Sequence, residues 1–158
     1  MLNKIKKVKI VIQRKMIQKM MYINTDLYMK CYIKFLKKRG MDIKGMPNYI
    51  SNDVHFDGKD FSIIHLGEGC TISREVLFLT HDYSKHTVFQ GLKSELKNEI
   101  KETLESRDEN NKLLDLRGIH IGDYSFVGAR TLLMPGTHIG SNSIVGGVQL
   151  LKDIITII

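Results

Sequence analysis

Residues 121–147 read IGDYSFVGARTLLMPGTHIGSNSIVGG and contain the most regular pattern in the chain. An aliphatic residue recurs at every sixth position, without a slip, through the stretch and just beyond it: Ile121, Val127, Leu133, Ile139, Val145 and Leu151. Glycine directly follows four of these positions: Gly122, Gly128, Gly140 and Gly146. A small hydroxyl residue lies four positions after an aliphatic: Ser125, Thr131, Thr137 and Ser143. A repeat this regular is a stronger indication of fold than local propensity.

A period of six suits a strand, because it is even and strand side chains alternate with a period of two, whereas a helix face repeats at 3.6. Six residues supply one short strand and a corner, and three such units make a triangular coil of about 18 residues. In stacked coils the aliphatic residues fill the interior, the small hydroxyl residues fit where the triangle narrows, and the glycine allows the tight corner. A series of sandwich strands is the alternative, but such strands do not repeat at a constant six. The repeat predicts a mainly β fold, a parallel β-helix.

The same step of six begins earlier in the chain, within residues 48–82, at Leu66, Ile72 and Phe78. Residues 83–118 then interrupt it with a polar excursion, in which apolar residues recur at steps of four at Leu92, Leu96, Ile100 and Leu104. This spacing predicts an amphipathic helical portion within the excursion. The β-helix domain is therefore expected to cover residues 48–158, interrupted by the loop 83–118.

Residues 1–47 have the pattern of helices and form a separate amino-terminal segment. One helix face is predicted from apolar residues at steps of three and four: Ile5, Val8, Ile12, Met16, Met20 and Ile23. A second helix is predicted from a cap at Thr25 or Asp26 to Arg39, with Gly40 following its basic last turn. Pro47 closes the segment.

The net charge of +7 is unevenly distributed along the chain. Residues 1–44 hold eleven Lys, two Arg and two Asp, or +11, which leaves −4 for the remainder. A nucleic-acid groove across the body of the protein is therefore not supported. The basic segment suits docking on an anionic membrane surface, and the alternative is that its helices pack on the β-helix with their lysines in water.

Two cysteines, Cys31 and Cys70, are too few for a disulfide scaffold and fit a reducing compartment. No uncharged apolar run approaches the ~20 residues of a membrane span, and the lysine-rich start lacks the apolar stretch of a signal peptide. The sequence therefore predicts a cytoplasmic protein, with the inner face of the membrane as a further expected location through residues 1–44.

The segment 121–147 strongly resembles the hexapeptide-repeat acyltransferases, which fold as left-handed parallel β-helices. The resemblance covers residues 48–153 and rests on the repeat, on the corner Met134-Pro135-Gly136 and on their order. The motif FLTHDYS at 78–84, followed by a long excursion, is similar to the branch that acetylates sugars and polysaccharides. The resemblance implies acetyl-CoA as acyl donor, no metal, a homotrimer and active sites between neighbouring subunits.

Acyl transfer to a hydroxyl needs a base for its proton and a donor for the oxyanion, and histidine, with an ordinary pKa near 6.5, suits the first role. His81 is the candidate general base, because it lies where the six-residue step stops and within the matching motif. Asp82 is expected either to hold the imidazole or to contact acceptor hydroxyls, and Tyr83 is assigned to substrate binding.

His120 and His138 are expected to point outward into solvent, and His55, His65 and His86 to be incidental. Cys70 occupies a small-residue position, where buried filler is favoured over a nucleophile.

The resemblance implies coenzyme contacts at Ala129, Gly146, Gly147 and Lys152. The chain departs from the family here, because Val148-Gln149 replaces the usual Gly-Ser, and aligning Lys152 leaves the coil one residue short. The usual proline and tail are missing, and the apolar ending 154–158 would leave an exposed strand edge, which indicates an atypical or truncated carboxyl end. Two hypotheses of function follow: an acetyl-CoA-dependent O-acetyltransferase, and a non-catalytic or decayed β-helix module.

Overall fold

A computed structural model describes residues 2–58, 60–92, 114–152 and 154–155, which form a mainly β structure with helices before and within it. The helices are α1 (Leu2–Met20), α2 (Thr25–Lys38) and α3 (Ser84–Gly91). The strands are two or three residues long: β1 (Asp42–Ile43), β2 (Tyr49–Ile50), β3 (His55–Phe56), β4 (Ile64–Leu66), β5 (Thr71–Ile72), β6 (Leu77–Phe78), β7 (His81–Asp82), β8 (Asp115–Leu116), β9 (Ile119–Ile121), β10 (Phe126–Val127), β11 (Leu132–Leu133), β12 (His138–Ile139), β13 (Ile144–Val145), β14 (Leu150–Leu151) and β15 (Ile154–Ile155).

Most of the strands form three parallel sheets. Sheet A contains β1, β4, β9, β12 and β15, sheet B contains β2, β5, β10 and β13, and sheet C contains β3, β6, β11 and β14. The chain visits sheets A, B and C in turn, so each set of three consecutive strands makes one coil, and equivalent strands of successive coils pair. This order confirms the predicted mainly β fold and is compatible with a parallel β-helix.

The interior of the stack is filled by the residues of the repeat. The aliphatic residues Ile121, Val127, Leu133, Ile139 and Val145 are buried, as are the four small hydroxyl residues. Three of these hydroxyl groups also donate to backbone carbonyl groups, among them Ser125 Oγ to the Gly140 carbonyl at 2.7 Å and Thr137 Oγ1 to the Leu151 carbonyl at 2.9 Å, whereas Ser143 Oγ is buried without a partner among the described residues. Serine and threonine thus add hydrogen bonds between successive coils to those that the backbone makes.

The corners are turned by the third residue after each aliphatic. That residue has a left-handed backbone conformation, with φ near +60° at Glu75, Tyr124, Arg130, Asn142 and Val148. The prediction that the glycine directly after the aliphatic residue allows the chain to turn the tight corner was therefore wrong. A Cβ on Gly122 would lie 2.3 Å from the Ser141 nitrogen, and one on Gly128 would lie 2.5 Å from the Gly147 nitrogen. These glycines let neighbouring corners stack closely; they do not turn the chain.

The helix α2 packs on the stack and shares its core. Tyr28, Tyr32 and Leu36 are buried in one cluster with the strand residues, and the Tyr28 hydroxyl donates to the Ile50 carbonyl at 2.8 Å. The side chain of Asn24 accepts from the Leu27 nitrogen at 2.8 Å, so the helix cap lies one residue before the expected Thr25. The first strand begins at Asp42, inside the predicted amino-terminal segment 1–47, so the stack starts earlier than residue 48.

The helix α1 forms as predicted, but part of its expected apolar face is turned away from the core. Val8, Ile12 and Met16 are exposed, whereas Ile17 is buried and Ile10 packs against the core cluster. Both sides of this helix carry apolar residues. The packed side includes Ile10 and Ile17, which lie off the predicted face, together with Met20, which lies on it. Within the part of the chain that the structure describes, no helix is long and apolar enough to cross a membrane.

The excursion leaves the stack through a short antiparallel ribbon. β7 pairs with β8, with His81 opposite Leu116 and Asp82 opposite Asp115, and β9 resumes the stack at Ile119, directly after the predicted end of the excursion. Helix α3 follows β7 immediately. The predicted apolar positions Leu96, Ile100 and Leu104 lie outside the described residues.

Candidate active site

His81 lies at the corner where the chain leaves sheet C for the excursion. Strand β6 ends at Phe78, and the buried Thr80 follows, with its hydroxyl donating to the Asp57 carbonyl at 3.2 Å. This bond ties the end of coil two to the corresponding corner of coil one. His81 then begins the antiparallel ribbon, so its backbone is held on one side by the stack and on the other by β8.

The imidazole of His81 is paired with a carboxylate. Its Nδ1 atom lies 3.2 Å from Oδ2 of Asp57, and the two side chains are 31% and 27% exposed. The other carboxylate oxygen of Asp57 accepts from the Gly58 nitrogen at 2.8 Å, which orients the carboxylate. Because a carboxylate only accepts, the proton belongs on Nδ1, and Nε2 is the nitrogen that can take a proton from a reacting group.

A cavity of about 480 Å³ lies beside this pair. It is lined by two carboxylates, by polar and aromatic side chains and by an aliphatic wall: Asp57, Gly58, Asp60, Ile63, Thr80, His81, Tyr83, Leu114 and Leu116. Hydrogen bonds from the Ser62 hydroxyl and backbone nitrogen hold the pKa of Asp60 below its usual value, so this group stays ionised. The cavity therefore combines hydrogen-bond acceptors with apolar surface, a combination that suits a polyhydroxylated ligand.

The two predicted substrate-binding residues differ in their surroundings. Both oxygens of the Asp82 carboxylate accept from Ser84, one from its nitrogen and one from its hydroxyl, each at 2.8 Å. Asp82 thus holds the first residue of helix α3 from a position two residues before it, and the carboxylate that pairs with the imidazole is that of Asp57. The rings of Tyr83 and His81 are in T-shaped contact, with centroids 5.7 Å apart, and Tyr83 lines the cavity. Contact of either residue with an acceptor stays a prediction.

The four predicted coenzyme residues fall at two different corners. Ala129, Gly146 and Gly147 meet at the corner between sheets B and C, where the Ala129 carbonyl accepts from the Val148 nitrogen at 2.9 Å. Lys152 follows β14 in sheet C, on the same corner edge as His81 but two coils further along, about 10 Å at the usual strand spacing. Within one chain, Lys152 is therefore on the edge that carries His81, and the other three are on a neighbouring edge.

A second group of histidines lies on the outer face of sheet A, and the sequence reasoning missed it. Asp42, His65, His120 and His138 occupy one row of paired positions on β1, β4, β9 and β12. Asp42 Oδ2 lies 3.0 Å from His65 Nδ1, and the rings of His65 and His120 are stacked with centroids 4.2 Å apart. His120 and His138 are stacked at 5.2 Å. We call these four residues the histidine ladder.

The ladder changes the expectations for His65 and His120, whereas His138 is exposed, as predicted. His65 is not incidental, because it links Asp42 to the stacked rings, and His120 is partly buried between its two neighbours. Desolvation and the adjacent His65 and His138 lower the pKa of His120. The cavity along the ladder measures about 210 Å³, less than half of the His81 cavity. Among the described residues, no group of three or more His, Cys, Asp or Glu side chains could hold a metal ion.

Cys70 is buried, and burial raises the pKa of its thiol to about 12. Because the thiolate is the nucleophilic form, this environment suits a filler residue and not a nucleophile, as predicted.

Comparisons of the chain with family models, with curated proteins and with solved structures find no match.

Proposed function

We propose that the chain is an acyltransferase that moves an acetyl group from acetyl-CoA to a hydroxyl of a sugar or polysaccharide precursor. The observation that carries the proposal is the His81–Asp57 pair, with Nδ1 and Oδ2 3.2 Å apart, beside a cavity of about 480 Å³ at the interrupted corner. A base held by a carboxylate in an accessible cavity is the first of the two groups that direct acyl transfer requires, the second being a donor for the oxyanion. The resemblance of residues 121–147 and 78–84 to the hexapeptide-repeat acyltransferases supports the donor and the acceptor class.

In the proposed reaction, Nε2 of His81 takes the proton of the acceptor hydroxyl as its oxygen attacks the thioester carbonyl. The carbonyl becomes an oxyanion, which backbone N–H groups would stabilise. Collapse of this intermediate breaks the carbon–sulfur bond, and the CoA thiolate recovers the proton from the imidazolium. Asp57 keeps the proton of the neutral ring on Nδ1 and stabilises the imidazolium that forms between the two transfers.

The lining of the cavity supports a sugar as the acceptor. Asp57 and Asp60 supply acceptors for sugar hydroxyls, and the partly exposed Tyr83 supplies an aromatic ring in the lining. Ile63, Leu114 and Leu116 supply apolar surface for the C–H faces of a pyranose ring. A cavity lined with carboxylates disfavours a strongly anionic group next to the reacting hydroxyl, which favours a neutral sugar unit there.

The proposal includes a left-handed parallel β-helix that assembles as a homotrimer. Four coils make a short prism with a narrow interior, and small cores commonly gain burial by oligomerisation. A neighbouring subunit could bring the corner with Ala129, Gly146 and Gly147 toward the edge that carries His81 and Lys152, which one chain keeps apart. Light scattering at micromolar concentration tests this part: a trimer supports it, and a stable folded monomer contradicts it.

The activity itself is tested by the release of free thiol from acetyl-CoA in the presence of a panel of neutral sugars. We expect release that depends on a sugar and exceeds the hydrolysis of acetyl-CoA alone. Binding of CoA, measured by calorimetry on the same preparation, separates loss of the donor site from lack of the correct acceptor. Tight CoA binding without sugar-dependent release over a broad panel would contradict the acetyltransferase proposal.

A non-catalytic β-helix module is the second candidate, because the coenzyme corner is irregular. Val148, a β-branched residue, has a φ of 58°, a conformation that costs such residues about 1–2 kcal/mol. The next corner is short, since Ile155 pairs with Ile139 only four positions after Leu151, whereas six separate Leu133 from Ile139. Absence of CoA binding by a folded protein would favour this candidate.

A further inference from the structure

One side of helix α1 exposes apolar residues and lysines together. Val8, Ile12 and Met16 are 57%, 53% and 65% exposed, and Val11 is exposed beside them. At 100° per residue, these four positions span an arc of about 140°, and Lys15 and Lys19 fall within it. We call these six residues the outer face of α1. Tyr22 and Ile23, in the turn that follows, extend the apolar surface and are also highly exposed.

The opposite side of α1 is attached to the stack, so the outer face is not free to rotate inward. Ile17 is buried in the core, and the Arg14 side chain donates to the Val54 carbonyl at 3.0 Å. Gln18 donates to the Asn52 carbonyl, and the Asn52 amide in turn donates to the Gln18 carbonyl at 3.4 Å. These bonds join one face of the helix to the loop between β2 and β3, and they fix the outer face toward the surroundings.

The charge around the outer face selects the kind of partner. Residues 1–44 carry a net charge of +11, and lysines lie between the exposed apolar side chains and not only at their edges. A second copy of the chain docking here through the same face would bring these ammonium groups against each other. An anionic surface complements these ammonium groups. A long lysine side chain can bury its aliphatic stem in an interface while its ammonium group remains in water or among polar groups.

We propose that the outer face of α1 is a docking surface for an anionic lipid bilayer. The helix lies in the plane of the interface, with Val8, Ile12 and Met16 among the acyl chains near the headgroups and with Lys15 and Lys19 at the phosphates. Tyr22 and Ile23 enter the interface at the carboxyl-terminal end of the helix. The surface is independent of the catalytic proposal, and either one can fail without the other.

Sedimentation of the full-length protein with vesicles tests the proposal, with phosphatidylglycerol–phosphatidylcholine vesicles compared against pure phosphatidylcholine. We expect binding to the anionic vesicles and little to the neutral ones. Lys15→Gln with Lys19→Gln should lower the partition coefficient about 30-fold, which corresponds to ~1 kcal/mol for each lysine near the surface. Ile12→Gln with Met16→Gln should lower it at least about tenfold, because apolar area no longer leaves water.

Matched controls change the same residue types elsewhere on the surface. Lys44→Gln with Lys152→Gln removes the same charge, and Ile144→Gln with Leu150→Gln removes two apolar residues exposed on sheets B and C, so both variants should bind vesicles like the wild type. Circular dichroism verifies that each variant is folded. Equal loss in the control pairs, or absence of binding to anionic vesicles by the wild type, would overturn the proposal. So would a change of oligomeric state in the Ile12→Gln, Met16→Gln variant without vesicle binding by the wild type, because the face would then belong to a second copy.

Discussion

Two His–Asp pairs of similar length lie in different places on the stack of coils. On the outer face of sheet A, Asp42 Oδ2 and His65 Nδ1 are 3.0 Å apart, and at the corner after sheet C, Asp57 Oδ2 and His81 Nδ1 are 3.2 Å apart. The first pair continues into the stacked rings of His120 and His138, beside a cavity of about 210 Å³. The second lies beside a cavity of about 480 Å³ at the point where the repeat is interrupted.

The difference between the two pairs shows that a histidine has other surroundings on a regular face of the stack than at an interrupted corner. On a face, the register places equivalent residues of successive coils side by side, so a histidine there is next to other histidines. The neighbouring rings cover its faces and disfavour its protonation, as the lowered pKa of His120 indicates. At an interrupted corner the chain leaves the stack, so one histidine can have a carboxylate partner and room for a substrate. The corner is therefore the better place for a base.

Replacing His81 with Ala should produce the largest difference between the two sites. If His81 is the base, kcat should fall by roughly 10²–10⁴, the usual contribution of a general base, with little change in CoA binding. The loss should shrink as the pH rises, because hydroxide partly replaces the missing base. His120→Ala and His138→Ala are the controls, and their turnover should remain close to that of the wild type. Equal turnover for wild type and His81→Ala would remove His81 from the mechanism.

Replacing Asp57 with Asn should produce the next largest effect. The amide can donate to Nδ1 and so favour the wrong tautomer of His81, and we expect kcat to fall about 10²-fold with KM for acetyl-CoA nearly unchanged. Asp82→Asn is the matched control. It weakens the start of α3 and should change kcat much less. The reverse order of effects would mean that the adjacent carboxylate, and not the one in the preceding coil, orients the imidazole.

Replacing Val148, at a corner, should produce a smaller effect, on stability. Its left-handed φ of 58° strains a β-branched residue, so Val148→Gly should raise the free energy of unfolding by about 1 kcal/mol. Ile144→Gly, on an exposed face position of the adjacent strand, should instead lower it by about 0.5–1 kcal/mol, because glycine loses more entropy in a strand. Denaturant unfolding at one fixed protein concentration measures both. Destabilisation by Val148→Gly would show that this corner is not strained.

The histidine ladder should make stability depend weakly on pH. The lowered pKa of His120 means that the unfolded chain binds more protons than the folded protein around and below the ordinary value of about 6.5. Stability should therefore fall as the pH is lowered from about 7.5 to about 5, where Asp42, whose pKa is also lowered, stays ionised. His120→Asn should flatten this slope. Thermal unfolding at several pH values measures it, and an unchanged slope in the variant would exclude this role for His120.

The stack of coils could be predicted from the sequence, because an aliphatic residue at every sixth position is a local pattern. The strands of the three sheets pair in the register that this pattern sets. The histidine ladder could also have been predicted from the sequence. His65, His120 and His138 each directly precede a repeat aliphatic, and eighteen residues separate the last two. The role of Asp57 could not be predicted. Ten residues separate Phe56 from Leu66 in place of six, so the six-residue register is lost where this carboxylate lies. The exposed side of α1 was also out of reach, because that helix has apolar residues on both sides.

A crystal structure with CoA and a sugar that supports turnover is the most direct test of the claim that His81 at the interrupted corner is the base. We expect the acceptor hydroxyl about 2.6–3.2 Å from Nε2 of His81, in the cavity lined by Asp60 and Tyr83, with Nδ1 still paired to Asp57. A sugar bound along the histidine ladder, or one whose hydroxyls all lie beyond hydrogen-bond reach of His81 while CoA occupies its site, would contradict it.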